Sequence, residues 1–116
     1  GITLNNNFKF NNPFNIKTDK LTLELNLYTL PTEITNFKIE SARLLDADYQ
    51  IAEATFNQVL TKTTPTTLFL TVSSLGLPEE EHSTLLKIWY SYTREGVISQ
   101  GTFSKSLGKI TFINPE

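Results

Sequence analysis

His82 is the only histidine of the chain, and it directly follows the acidic triplet Glu79-Glu80-Glu81. An imidazole beside carboxylates could act as a general base, or it could hold a metal ion together with oxygen ligands. Three adjacent acids cannot all converge on one ion, however, and no second histidine completes a ligand set. This stretch therefore favours a solvated acidic loop over a catalytic or metal site.

The remaining polar residues give no pattern that is typical of catalysis. A Ser-His82-Asp46 triad is possible by composition, but no Gly-x-Ser-x-Gly elbow accompanies it. Asp46 and Asp48 could offer two oxygens to calcium, but the other ligands of a loop site do not follow. The glycines fit neither a phosphate loop nor a dinucleotide fingerprint, and cysteine is absent. We expect no enzymatic activity, no metal and no cofactor.

The bulk composition predicts one folded domain. The chain has 116 residues, of which 39% are hydrophobic and 11% aromatic, so it can bury a core and is too short for two comfortable domains. Its net charge is −2, with ten Lys and Arg spread singly, which argues against nucleic-acid binding. Its apolar runs are far shorter than the roughly 20 residues that span a bilayer, so we expect no membrane insertion.

Apolar residues alternate with polar ones along most of the chain, which is the period of a β-strand. Residues 21–27 give the clearest case, with one aliphatic face that should be core: Leu21, Leu23, Leu25 and Leu27. The next strand should place four residues on one face: Phe37, Ile39, Ser41 and Arg43. A turn is expected at Asp46-Ala47-Asp48, because Asp side chains hydrogen-bond nearby amides.

The second half of the chain continues this pattern. Residues 49–60 tolerate a helix but favour a strand, and residues 61–67 form an extended connection. Residues 73–83 should form a loop with one helical turn after Pro78, and turns are expected at residues 93–96 and 104–108. About eight short strands result, which is typical of an antiparallel sandwich or barrel; we expect an all-β, antiparallel β-sandwich.

Trp89 lies on the strand face opposite Tyr90 and Tyr92 if the alternation holds. One of these faces must pack in the core, and the other meets solvent, a ligand or a neighbouring subunit. Aromatic residues with a polar group are enriched at interfaces, so this strand is a candidate for binding.

A short motif occurs twice in the first 23 residues. Its copies are Gly1-Ile2-Thr3-Leu4, Asn5-Asn6-Asn7, Phe8-Lys9-Phe10 and Pro13-Phe14-Asn15-Ile16, Lys17-Thr18-Asp19-Lys20, Leu21-Thr22-Leu23. Each reads as two alternating apolar residues, a polar turn, and two more alternating apolar residues. One copy alone buries almost nothing, so the motif predicts stacking on other copies, within the chain or between chains.

This doubled motif, leading into the strand Leu21-Thr22-Leu23-Glu24-Leu25, resembles the junction between shaft and head of an adenovirus fibre. The closing segment Ile110-Thr111-Phe112-Ile113 followed by Asn114-Pro115-Glu116 looks like the last strand of such a head, of the compact reptilian or avian type. The resemblance implies a homotrimer at the tip of a virion capsid spike that attaches to a host-cell receptor, protein or glycan. Residues 1–19 would be a shaft-like lead-in and residues 20–116 the globular head.

Two sets of site residues accompany this hypothesis. The candidates for receptor binding come from predicted exposure alone: Asp46, Asp48, Tyr49, Glu79, Glu80, Glu81, His82, Arg94 and Glu95. The candidates for the trimer interface are the apolar residues of the motif and the tryptophan: Ile2, Leu4, Phe8, Phe10, Phe14, Ile16 and Trp89.

A rival hypothesis is an immunoglobulin-like module of a bacterial surface or envelope protein. The pair Asn12-Pro13 before a strand also resembles sandwich domains of the late-embryogenesis, water-stress type, in which Pro13 would start a strand in a monomer. An enzyme built on a β-sandwich is the remaining alternative. Oligomeric state separates the trimeric fibre head from a monomeric module.

Overall fold

The computed structural model describes residues 1–73 and 79–115, and within them every regular element is a β-strand. The eight strands are Thr3–Lys9 (β1), Phe14–Asn15 (β2), Leu21–Thr29 (β3), Ile34–Asp46 (β4), Tyr49–Val59 (β5), Thr66–Leu70 (β6), Glu79–Arg94 (β7) and Val97–Ile113 (β8). The all-β expectation is confirmed. No helix in the described part of the chain is long and apolar enough to cross a membrane.

The strands form two sheets that pack as a sandwich. One sheet has the order β1-β3-β6 and the other β2-β8-β7-β4-β5. All pairs are antiparallel except the short parallel pair of β2 with β8. The molecule measures 51 × 27 × 21 Å. Since a strand rises about 3.3 Å per residue, the long β7–β8 hairpin accounts for the longest of these dimensions.

The core lies between the two sheets and is built as the alternation predicts. All four leucines of β3 from Leu21 to Leu27 are buried. They belong to the same buried cluster as Ile39, Ile88 and Phe112 from the five-stranded sheet. Burial of one such side chain contributes about 1.5–3 kcal/mol, so this face of β3 is a principal source of stability.

Strand β4 departs from the expected face after Ile39. Phe37 and Ile39 are buried as predicted, but Ser41 and Arg43 face outward while Ala42 and Leu44 are buried. Ile39 pairs with Tyr90 and Ser41 with Trp89, so β4 carries one extra residue, Glu40, relative to β7. This β-bulge exchanges the two faces of the strand, and the predicted face for Ser41 and Arg43 is wrong.

Two turn predictions are confirmed and one is wrong. Ala47 and Asp48 form the β4–β5 turn, and β5 is a strand as expected. The turn expected at residues 93–96 shrinks to Glu95 and Gly96. The turn expected at residues 104–108 is instead a bulge in the continuous strand β8, where Gly108 adopts a φ of 77°. Glycine tolerates that conformation without steric cost.

The acidic segment is also a strand rather than a loop. Glu79 pairs with Ile113 and Ser83 with Lys109, so residues 79–83 extend β7. Their backbone groups pair with β8, and this pairing favours a strand although the composition is typical of a loop. The helical turn expected after Pro78 is wrong, because residues 79–81 belong to β7. The earlier part of the expected loop, residues 74–78, lies outside the described residues.

The two copies of the front motif fold differently. Residues 5–7 lie within β1 and pair with β3, so no turn forms there, whereas the second copy does turn, with the Asp19 amide donating to the Asn15 carbonyl (2.8 Å). Strand β1 belongs to one sheet and β2 to the other. Residues 1–19 therefore supply one strand to each sheet of the sandwich.

Candidate functional site

The nine residues proposed for receptor binding fall at two ends of the five-stranded sheet. Arg94 and Glu95 lie at the β7–β8 turn, and the other seven lie around the β4–β5 turn and the start of β7. Six of the nine are exposed, but Asp46, Glu80 and His82 are half-buried. These three are less exposed than expected, because His82 contacts both Asp46 and Glu80.

His82 bridges two carboxylates. Its Nδ1 lies 2.8 Å from Asp46 Oδ2, and its Nε2 lies 3.0 Å from Glu80 Oε2. The ring stacks on Tyr49 with a centroid separation of 5.4 Å and meets the edge of Phe112 at 5.8 Å. The His82 side chain retains 14% of its exposure, so the imidazole forms a shielded link between β7 and the β4–β5 turn.

The electrostatics of this cluster favour the charged imidazole. Burial lowers the pKa of His82, but the hydrogen bonds to Glu80 and Asp46 and the charges of both carboxylates outweigh burial, so that the pKa is raised above 6.5. A carboxylate only accepts hydrogen bonds, and two such partners require N–H groups on both ring nitrogens. The protonated ring satisfies both at once.

This geometry contradicts both sequence-based interpretations of His82. The residue is not part of a solvated loop, and in its bridging state it has no free lone pair with which to accept a proton or bind a metal. Within residues 1–73 and 79–115, no group of three or more His, Asp and Glu side chains is arranged to hold a metal ion. The cluster is best described as a structural ionic contact.

Trp89 occupies a different position, on the outer face of the five-stranded sheet. The expected alternation is confirmed, since Tyr90 and Tyr92 pack against the core and stack on Phe37 with centroid distances of 5.0 and 6.3 Å. Trp89 points the other way and is half-buried. The guanidinium carbon of Arg43 lies 4.9 Å from its ring centroid and Lys87 Nζ lies 5.1 Å away, so two cations restrain the indole.

The β4 bulge places further polar groups beside this indole. Glu40 is the extra residue of the bulge and Ser41 follows it, and Ser91 Oγ donates a hydrogen bond of 3.0 Å to Glu40 Oε1. Together they border an open cavity of about 340 Å³. It is lined by Glu40, Ser41, Arg43, Trp89, Tyr90 and Gln100. We refer to these six residues as the Trp89 pocket.

Sequence analysis identified one member of this pocket as a site residue and missed its neighbours. Trp89 stood out through the alternation of β7. The sequence does carry a signal for Glu40 and Ser41, since two polar residues between Ile39 and Ala42 break the period of two. This break was not interpreted as a bulge. Gln100 reaches the pocket only through the pairing of β8 with β7, which sequence spacing alone does not specify.

The proposed trimer-interface residues pack mainly within their own chain. Phe14 is 1% exposed and contacts Phe112, with a ring-centroid distance of 5.4 Å, so it cannot contact another subunit. Five others are partly buried against the core: Ile2, Leu4, Phe8, Phe10 and Ile16. Of the seven candidates, Trp89 alone presents its ring on an outer sheet face.

No protein-family model matches the chain, and no curated protein sequence matches it. Function is therefore inferred from the strand order and from the side chains that the outer sheet face presents.

Proposed function

We propose that this chain is a recognition domain, an immunoglobulin-like module of a surface-exposed protein that binds its ligand on the outer face of the five-stranded sheet. The Trp89 pocket is the observation that carries the proposal. Large aromatic side chains with a few well-placed polar groups are typical of ligand-binding sites.

The strand order supports the immunoglobulin-like assignment. Labelled in chain order, β1, β3 and β6 correspond to strands A, B and E of such sandwiches, and β4, β5, β7 and β8 correspond to C, C′, F and G. The sheet orders A-B-E and G-F-C-C′ then match those of the variable type without strands C″ and D. The parallel pair of β2 with β8 places the start of the chain along strand G.

The core differs from that of antibody domains. Those domains join strands B and F by a disulfide and pack a tryptophan of strand C against it. This chain has no cysteine, its aliphatic residues on β3 fill the equivalent space, and its tryptophan lies on strand F and faces outward. The indole therefore takes no part in the core and instead lines the Trp89 pocket, where a ligand could contact it.

A viral fibre head is the second candidate function, in which a trimer on a capsid spike attaches the virion to a host-cell receptor. Val97 and Ile98, at the tip of the β7–β8 hairpin, are 64% and 72% exposed, and exposed apolar residues favour a contact between subunits. Against a trimer built on the front motif, six of the seven expected interface residues pack against the core of their own chain.

Oligomeric state separates the two candidates. Multi-angle light scattering on the purified chain at micromolar concentration should give the monomer mass of 13.1 kDa. A stable species of about three times that mass would favour the fibre head and contradict an isolated module.

Cell adhesion tests the recognition role itself. Fluorescent beads coated with the chain should bind a subset of cultured cell types, and Trp89→Ala should remove that binding. Phe69→Ala serves as the matched control, because Phe69 is a half-exposed aromatic on the other sheet. Equal loss with both variants, or no adhesion to any cell type, would argue against the proposal.

A further inference from the structure

The Trp89 pocket combines an aromatic surface with planar polar groups. Glu40, Arg43 and Gln100 each carry two neighbouring polar atoms in a fixed plane, and Ser41 adds a hydroxyl that both donates and accepts. Such groups can each bind two adjacent hydroxyls of a ligand. The indole of Trp89 provides an apolar surface on which the C–H face of a sugar ring can stack.

The charges around the indole balance. Arg43 and Lys87 lie over the ring, and Arg43 also lies 3.7 Å from Glu53, while Glu40 lines the cavity. Two cations therefore face two carboxylates. A phosphate or sulfate would meet the Glu40 carboxylate as well as the cations, so the pocket is matched to a neutral ligand that offers both donors and acceptors.

The location argues against an extended peptide as the ligand. The pocket lies over β4, β7 and β8, and each pair among neighbouring strands here is already hydrogen-bonded. An added strand needs an unpaired sheet edge. The floor of the pocket offers side chains but no such edge.

The side chains of the pocket are held in place by contacts within the chain. Ser91 fixes the Glu40 carboxylate through its 3.0 Å hydrogen bond, and two cations restrain the Trp89 ring. A site that is already ordered loses less conformational entropy on binding. Its volume of about 340 Å³ lies in the lower part of the range for small-molecule sites.

From these features we propose that the Trp89 pocket binds a neutral saccharide, as a terminal mono- or disaccharide of a larger glycan. This inference rests on the proposed recognition function and names its ligand class. The open shape of the pocket leaves room for the rest of the glycan to extend into solvent.

Intrinsic fluorescence provides a direct test, because Trp89 is the only tryptophan of the chain. Titration with glucose, galactose, mannose and N-acetylglucosamine should produce a saturable change in emission for at least one sugar. A glycan array that carries neutral and sialylated glycans should give signals on neutral termini. Absence of any neutral-sugar response in both assays, or signals confined to sialylated glycans, would overturn the inference.

Two substitutions locate the binding. Glu40→Gln and Gln100→Ala should each weaken binding of the best sugar by about tenfold or more. The first replaces a charged acceptor oxygen by an amide donor, and the second removes the amide altogether. Phe69→Ala should leave affinity unchanged, and unaltered thermal melting of all three variants verifies their folding. Unchanged affinity in both pocket variants would place the sugar elsewhere and overturn the proposal.

Failure of this inference is distinguishable from failure of the recognition function. If the beads still bind cells after glycosidase treatment and no sugar binds the chain, the saccharide is excluded while the recognition domain stands. If the beads bind no cells, the recognition function itself fails.

Discussion

His82 on β7 and Asp46 at the end of β4 are joined by a 2.8 Å contact between Nδ1 and Oδ2, although 36 positions separate them in the chain. The contact ties the β4–β5 turn to the strand beside it. Glu80 holds the other ring nitrogen at 3.0 Å, and Tyr49 covers one face of the ring. The charged imidazole therefore links β7 to the end of β4 at this end of the sheet.

Stability should depend on pH through His82. The pKa of His82 is raised in the folded chain above the ordinary value of 6.5, so folding takes up protons in this range. The stabilising contribution is complete below pH 6.5 and is lost as the pH rises through the folded pKa. We expect the melting temperature to fall as the pH is raised from about 6 into the alkaline range.

The variant His82→Gln isolates this effect. It should melt at a lower temperature than the natural chain at pH 6, and the difference should shrink as the pH rises. Thermal denaturation followed by circular dichroism across the pH series measures both. An identical pH slope in the two proteins would show that another group is responsible.

Local alternation predicted strands well because it is a property of neighbouring residues. The aliphatic face of β3 and the opposite orientations of Trp89 and Tyr90 follow from a period of two. Bulges depend on how many residues the partner strand supplies, so the reversal of faces after Ile39 and the irregularity at Gly108 were not predicted. The acidic triplet was misread for the same reason, since its partners lie at the far end of β8.

The Asn12 side chain should stabilise the edge of β8. Its Nδ2 donates to the Lys109 carbonyl (3.1 Å), and its Oδ1 accepts from the Thr111 amide (3.0 Å). The side chain thus substitutes for a paired strand just before β2 begins. Asn12→Ala should cost about 1 kcal/mol, which lowers the melting temperature by roughly 4 °C.

Asn57→Ala is a suitable control for Asn12, because Asn57 is an exposed asparagine within a strand. Urea denaturation should show a much smaller effect there. Equal effects at both positions would mean that the two hydrogen bonds of Asn12 contribute nothing specific.

The candidate site was only partly predictable because its members come from three strands. Trp89 was identified from its own strand, but Arg43 was expected on the opposite face, together with Phe37 and Ile39. Contact between Arg43 and the indole requires both the bulge and the antiparallel register of β4 with β7. The bulge and the register are defined by how two strands pair, and the residue pattern of one strand does not specify that pairing.

Removal of the first 17 residues should destabilise the single chain. Such a truncation, beginning at Thr18, deletes β1 from the edge of β3 and removes Phe14 from the core. Phe14→Ala alone should cost about 3–5 kcal/mol. Urea denaturation should give midpoints that are reduced for both variants and independent of protein concentration. A midpoint that rises with concentration would indicate stabilisation by an oligomer.

Gly101 should be required by the ring of Tyr90. The two residues are direct partners in the β7–β8 ladder, and the phenol of Tyr90 occupies the space into which a Cβ at position 101 would project. Gly101→Ala should therefore displace a ring that also stacks on Phe37, at a cost of about 1–3 kcal/mol. In the background of Tyr90→Ala the same substitution should be nearly neutral, because the obstructing ring is gone. A double-mutant cycle by urea denaturation measures this coupling, and additive effects of the two substitutions would contradict the proposed contact.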